Sequence, residues 1–253
     1  MTTFIVFLVA LFAFMLIGLP LAFVLIICAI FMMLSLNQSD VMVIAQNMVN
    51  GTNSFALMAI PFFMLAGEIM DRGGLSLRIV KFPKLIVGRI RGGLGYTAIL
   101  ATIVFSGLSG SAVADAAALG AILIPLMIKS GYKKSRSVAF IAAGAIVAPM
   151  IPPSIPMIVM GTSTGLSITK LFMSGLVPGI IVCLGLMVAW FFVVRADNYD
   201  DRETFTWKEA KAIMLDSFPA LLMPIFIVGG IRFGIFTPTE AGAFAVVYAL
   251  IIC

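Results

Sequence analysis

The chain has 253 residues, of which 62% are hydrophobic and 11% charged, and its mean hydropathy is +1.19. A soluble domain carries about half apolar residues and about a quarter charged ones, and no soluble core of this length encloses so much apolar surface. The composition is that of an all-α polytopic membrane protein. There is no histidine, which excludes Ser–His, Cys–His and His-ligated zinc chemistry within this chain. Cys28, Cys183 and Cys253 lie in apolar runs without CxxC spacing and read as small hydrophobes rather than a redox pair.

The first apolar run, Thr3 to Leu34, is uncharged. As a single helix it would measure roughly 46 Å, against a hydrocarbon core of about 30 Å. Gly18 and Pro20 near its middle predict either one kinked helix or two short ones joined by a turn. A polar stretch without Lys or Arg follows, from Ser35 to Asn53, and then a span from Ser54 to about Met70. Glu68 and Asp71 fall beside the basic stretch that comes next and are expected to pair there. Residues 71–93 hold Arg72, Arg78, Lys81, Lys84, Arg89 and Arg91 among apolar residues at helical spacing, the pattern of an amphipathic interfacial helix held by anionic lipid.

A second basic cluster contains Lys129, Lys133, Lys134 and Arg136, and a third loop, Arg195 to Lys211, mixes four basic with five acidic residues. If all three loops are cytoplasmic, only Lys170 and Arg232 of the 16 basic residues remain outside. That is a strong positive-inside asymmetry. It explains the net charge of +5 by orientation, with no call for nucleic acid.

Residues 94–128 must then enter and leave the membrane on one side. Leu94–Phe105 makes about 18 Å of helix and Ala112–Ile128 about 25 Å. An uncharged tip, Ser106 to Ser111, joins them. This predicts a re-entrant helical hairpin, tolerated only where protein or water covers its non-helical backbone. The next span, from near Val138, carries Pro149, Pro152, Pro153 and Pro156, which predicts two half-helices around an unwound segment. Full spans are expected at Leu171–Val194 and Ile213–Ile231. Phe233–Gly242 is a loop with Thr237 or Thr239 as cap, leading to a helix with about 14 residues before Cys253 that reads as stopping within a span. Trp190 and Trp207 suit the interfacial belt.

Two adjacent breaks free carbonyls and hydroxyls that can ligate a hard monovalent cation, and they aim helix N-termini at anionic substrates. Ser106 and Ser109 are the candidate cation ligands, against back-bonding to the preceding turn. Ser111 suits a cap whose amides face a substrate carboxylate. Asp115, one turn in, reads equally as a functional intramembrane acid or as a partner of the helix dipole. Gly107–Ala112 also contains the GxSG pattern of serine intramembrane proteases, but the general base is missing.

The segments IPFFMLAGEIMDRGG (60–74), FSGLSGSAVADAAALG (105–120), IPPSIPMI (151–158) and GIFTPTEAGAFAVVYAL (234–250) resemble the large membrane (M) subunit of TRAP transporters, the DctM-like tripartite ATP-independent periplasmic carriers. The resemblance covers nearly the whole chain. It implies an elevator-type ion-transporter-like fold comprising a first inverted repeat and the start of a second. The division is scaffold helices at 1–70, an arm helix at 71–93 and a transport domain at 94–165, with hairpin 94–128 and broken helix 138–165. A span and cytoplasmic loop follow at 166–212, and the second repeat begins at 213–253.

The resemblance further implies Na+ as coupling ion, with Ser106 and Ser109 as hydroxyl ligands and Ala148, Met150 and Pro153 as carbonyl ligands. Similar proteins often have glycine where Ala148 stands. Ser111, Asp115 and Ser154 would lie nearest the substrate. Implied partners are a small membrane subunit (Q), a periplasmic substrate-binding protein (P) and an organic acid such as a C4-dicarboxylate, sialic acid or another sugar acid, in a bacterial inner membrane. The competing readings are a binding-protein-independent sodium/dicarboxylate symporter and a non-transporting membrane scaffold subunit.

Overall fold

The computed structural model describes residues 2–36, 41–196 and 204–253. Among these the secondary structure is helical, with no strand, in two compact units, residues 2–54 and 55–253. The expectations that touch 37–40, in the polar stretch, and 197–203, in the mixed-charge loop, lie outside the described residues.

In the first unit, α1 (Thr2–Leu16) and α2 (Leu21–Ser35) are separate helices. Gly18 takes φ +86° between them, a conformation that costs side-chain-bearing residues, and Pro20 withholds a donor at the start of α2. Phe14 and Phe31 have ring centroids 6.4 Å apart, whereas 17 residues of continuous helix would separate them by about 25 Å. The run is therefore two helices that fold back on each other. α3 (Val41–Thr52) is helical although its segment reads as polar. It has no charged residue to solvate, and Thr52 bonds its hydroxyl to Met48 and Val49 carbonyls at 3.0 Å.

The second unit begins with a short 3-10 turn (Phe55–Met58) leading into α4 (Ala59–Arg72) and α5 (Leu75–Val87). α6 (Gly93–Ser109) and α7 (Ala112–Lys129) form a hairpin. α8 (Lys134–Ala145) and α9 (Ile155–Thr164) flank an interruption, and α10 (Ile168–Ala196), α11 (Trp207–Arg232) and α12 (Pro238–Ile252) complete the unit. By length and composition α7, α10 and α11 are long and apolar enough to cross a membrane. The outward side of α10, including Ile181, Leu184, Val188 and Phe192, is exposed and apolar, as a lipid-facing surface requires.

α6 is the axis of this unit. Leu94, Ala98, Ile99, Ala101, Thr102, Phe105, Ser106 and Leu108 are all buried, and α6 packs against α4, α5, α7, α8, α10 and α11. A helix enclosed on every side needs no amphipathic stripe, which is why its sequence is apolar all round. α5 does have two faces: Leu75, Ile79, Val80 and Pro83 are buried, and the helix packs on α6 and α11. Ser217 of α11 donates to Arg78 O at 2.8 Å, and Arg78 pairs with Asp216 at 3.3 Å. Glu68 and Arg72 form an ion pair at 2.7 Å, while Asp71 accepts from Ser76 Oγ at 2.5 Å.

Three details differ from the sequence reading. The first hairpin arm runs on through Ser109, about 25 Å rather than about 18 Å. Two of its hydroxyls bond back along the helix, Thr102 Oγ1 donating to Ala98 O at 2.8 Å and Ser106 Oγ to Thr102 O at 2.6 Å, so serine does not end it. The tip shrinks to Gly110 and Ser111. Second, Thr237 rather than Thr239 caps α12, in a capping box with Glu240, and Thr239 donates to Phe55 O at 3.0 Å. Third, Trp190 is not a lipid-facing belt residue. It is 1% exposed, stacks with Tyr132 at 5.6 Å, contacts Phe140 at 4.1 Å and donates from Nε1 to Gly92 O at 2.9 Å. A β-carbon at Gly95 would lie 1.9 Å from Trp190 Cε2, so the glycine makes room for the indole.

Replacing Trp190 by alanine is expected to destabilise the chain by about 3–5 kcal/mol through the cavity it leaves. Trp190→Phe, which keeps the aromatic stack and loses the indole hydrogen bond, is expected to cost less than half as much. Thermal unfolding of the detergent-solubilised variants measures both.

Candidate functional site

The hairpin tip and the interrupted helix meet. Gly110 takes φ +59° and ends α6, its N–H donating to Ser106 O at 3.2 Å. A β-carbon there would stand 2.3 Å from Pro153 O and 3.1 Å from Ser154 Cα. Both the left-handed conformation and the close approach thus require glycine. Across the same contact Ile155 N–H donates to Gly110 O at 3.4 Å.

Between α8 and α9 the chain first tightens into i→i−3 turns, with Val147 N–H on Gly144 O, Ala148 on Ala145 O and Met150 on Val147 O. It then passes through Ile151, Pro152, Pro153 and Ser154, all buried, with a cis bond between the two prolines. Prolines 149, 152 and 153 have no N–H to continue a helix.

Two helix N-termini open at this contact. Ser111 caps α7, its Oγ accepting from Ala114 N–H at 3.4 Å. Ser154 caps α9, its Oγ accepting from Met157 N–H at 3.4 Å and donating to Pro149 O at 2.7 Å. Capped N-termini concentrate partial positive charge and spare amides, an arrangement suited to an anion.

Behind the tip lies an acceptor-rich group. Asp115, in the first turn of α7, is 0% exposed. Ser109 Oγ makes a short hydrogen bond to its Oδ1, and Ser106 Oγ lies 3.3 Å from its Oδ2. Ser109 Oγ also accepts from Ser111 N–H at 3.1 Å and reaches Ser111 O at 3.4 Å. A cavity of about 180 Å³ adjoins this group, lined by Ser109, Ser111 and Asp115 together with Gly67, Glu68 and Asp71 of α4. On the opposite side of the hairpin, Gly107 and Pro152 border an apolar cavity of about 630 Å³ with Pro224 and Arg232 of α11.

Of the residues singled out by sequence, Ser106, Ser109, Ser111 and Asp115 form one hydrogen-bonded cluster, and Pro153 and Ser154 abut it through Gly110. Ala148 is fully buried. Met150 O faces α10, 2.3 Å from where a β-carbon on Gly175 would be. The sequence reading gave no weight to Gly110 and Gly107, although both stand in the tip's glycine–serine alternation. Gly107 touches α11, where a β-carbon would be 2.8 Å from Pro224 Cβ. Glu68 and Asp71, read only as interface partners, also line the smaller cavity. Among the described residues no three His, Cys, Asp or Glu side chains cluster to hold a metal.

The family model described as "Tripartite ATP-independent periplasmic transporter, DctM component" matches residues 8–253. The chain is 49% identical over 236 residues to the 2,3-diketo-L-gulonate TRAP transporter large permease protein YiaN of Escherichia coli K12, covering 93% of this chain and 56% of that one. It is 39% identical over 233 residues to the sialic acid TRAP transporter large permease protein SiaM of Vibrio cholerae, with 92% and 55% covered. It is 37% identical over 239 residues to the C4-dicarboxylate TRAP transporter large permease protein DctM of the same organism, with 94% and 53% covered. The chain thus spans about half the length of the curated relatives it matches.

The contact between tip and interruption is testable with two glycines that share a positive φ. Gly131 takes φ +90° in open space, whereas Gly110 faces the Pro153 carbonyl. Gly131→Ala is expected to cost about 1–2 kcal/mol, the backbone strain alone. Gly110→Ala should cost at least about 1–3 kcal/mol more, since overpacking adds to the same strain. Parallel thermal unfolding of the two variants measures the difference.

Proposed function

Because the chain belongs to the DctM component family of tripartite ATP-independent periplasmic transporters, a family of multi-pass membrane permeases, we propose that it carries the first half of the transport machinery of a large permease subunit that uses the sodium gradient to import an organic acid. The observation that carries this reading is the meeting of Gly110 with Pro153 and Ser154. One point in the membrane then offers two capped helix N-termini for an anion and freed hydroxyls and carbonyls for a cation.

The substrate is an organic acid whose carboxylate meets the amides and hydroxyls around Ser111 and Ser154. The substrates named for the relatives include 2,3-diketo-L-gulonate, sialic acid and C4-dicarboxylate, and a sugar acid suits the 49% identity to the first of these best. Sodium is held by Ser106 and Ser109 with carbonyls contributed by Ala148, Met150 and Pro153. A hydroxyl that donates its hydrogen to Asp115 keeps lone pairs for a cation. Of the three carbonyls, that of Pro153 has the best support, because it already faces the tip. For Met150, whose carbonyl faces Gly175, ligation requires a peptide rotation.

The hairpin is re-entrant on this reading. α8 starts at the Lys133–Lys134 interface and has 12 residues, or roughly 18 Å of helix, before the interruption. The tip that touches Pro153 therefore lies deep in the bilayer. The basic loops are cytoplasmic, the membrane is the bacterial inner membrane, and the hairpin moves with the interrupted helix as the carrying element of an elevator. A periplasmic binding protein delivers the acid, a small membrane subunit completes the scaffold, and lipid covers the apolar faces.

Uptake into proteoliposomes containing the whole permease and its partners tests this. A sodium gradient is expected to drive accumulation at least about tenfold above a potassium gradient of equal size. Equal uptake would remove the coupling. Ser106→Ala with Ser109→Ala is expected to raise the sodium concentration for half-maximal uptake by about tenfold or more, as loss of two ligands implies, while leaving the amount of folded protein in the membrane unchanged.

A further inference from the structure

Asp115 is a carboxylate with no exposed surface and no salt-bridging partner among the described residues. Buried charges are ordinarily paired or bound to a metal ion, because an uncompensated one pays a large desolvation cost. The N-terminus of α7 offsets part of that cost. The hydroxyls of Ser106 and Ser109 have one hydrogen each. Ser106 gives its own to Thr102 O at 2.6 Å and only approaches Oδ2 at 3.3 Å, whereas Ser109 donates to Oδ1. The Asp115 carboxylate therefore keeps most of its charge unmatched by donors and repels a substrate carboxylate.

We propose that Asp115 is a positioning residue for the alkali ion: its carboxylate draws the hydroxyl hydrogen of Ser109 behind the tip, turns that oxygen's lone pairs outward, and supplies beside Ser106 the negative charge that the ion neutralises. This rests on the sodium reading above and moves Asp115 from the substrate's surroundings to the ion's. The geometry supports the change, because each oxygen of Asp115 is directed at one candidate ligand of the ion. Its distance from the ion, beyond the hydroxyls, is short enough for an attraction that survives an effective protein dielectric constant of about 20.

The test uses the whole permease with its membrane partner in detergent, comparing the unaltered protein with Asp115→Asn. Thermal unfolding is followed in choline chloride and across a sodium chloride titration, and substrate affinity is measured separately at saturating sodium. The expected result is a melting temperature in choline equal to or above that of the unaltered protein, since an uncompensated buried charge has been removed. The sodium-induced rise should require at least about tenfold more sodium. In the Ser106→Ala/Ser109→Ala background the same substitution should add little, because it acts through those hydroxyls.

A variant that melts lower in choline, or fails to fold, assigns Asp115 a purely structural role and overturns the proposal. So does an unchanged sodium titration. An unchanged sodium titration with lost substrate affinity returns Asp115 to the substrate. If the unaltered permease itself shows no sodium-dependent rise, the ion is gone and both readings fall together, an outcome distinct from one in which only Asp115→Asn leaves the sodium response intact.

Discussion

A backbone polar group inside a bilayer has no water to turn to, and that constraint organises everything around the hairpin. Each helix end leaves unpaired amides or carbonyls, and in hydrocarbon each unpaired group costs several kcal/mol. The second unit places three ends together: the C-terminus of α6, the N-terminus of α7 and the N-terminus of α9. Partners come from the contact and from the caps. Ile155 N–H reaches Gly110 O, and Ser111 and Ser154 close their own first turns with their side chains. On the re-entrant reading neither break is tenable alone, because each supplies part of the burial the other needs.

The position of the tip is set far from the tip. α6 is enclosed along its length, and at its start Gly95 and Gly92 receive Trp190 from α10. At its end Gly107 and Gly110 bring it against α11 and the interrupted segment. With neighbours at both ends and on all sides, α6 has little freedom to slide or rotate. The hydroxyls of Ser106 and Ser109 inherit that rigidity, which the proposed ligand set needs if it is to distinguish cations by size and geometry. The hairpin and the segment Ile151–Ser154 therefore behave as one packed body, since separating them would expose buried backbone on both sides.

Where the sequence was legible, a residue type forced the backbone. Four prolines within eight positions end a helix in any surroundings, and the interruption falls among them. The uncharged apolar runs are helices. What needed tertiary context was harder to read. Gly18 and Pro20 allow a kink or a turn, and only the contact of Phe14 with Phe31 decides between them. Serine breaks or continues a helix according to where its hydrogen goes, so the length of α6 depended on the bond from Ser106 to Thr102 O. Trp190 carries the same composition signal whether it meets lipid or protein, and it is the small residues opposite, Gly92 and Gly95, that enclose it. For the site, the glycine–serine tip was visible from its composition. Its partner across the fold came only from the family resemblance, which set Pro153 in one site with Ser106 and Ser109, because nothing local says that Gly110 meets Pro153.

The proposed pairing of ion and substrate needs no long-range wire. Charges of opposite sign 7 Å apart at an effective dielectric constant of 20 attract by about 2 kcal/mol. Linkage makes the effect reciprocal, so whatever a bound cation adds to the anion's affinity, the anion adds to the cation's. The hairpin tip has the elements for this at close quarters, with acceptors gathered behind Ser109 and spare amides at the N-termini of α7 and α9. Because both ends of the interaction belong to one packed body, an empty site leaves an uncompensated carboxylate in Asp115 and a filled one does not. On the proposed reading the same desolvation cost that keeps the backbone of the two breaks paired favours movement of the sodium-loaded site over the empty one.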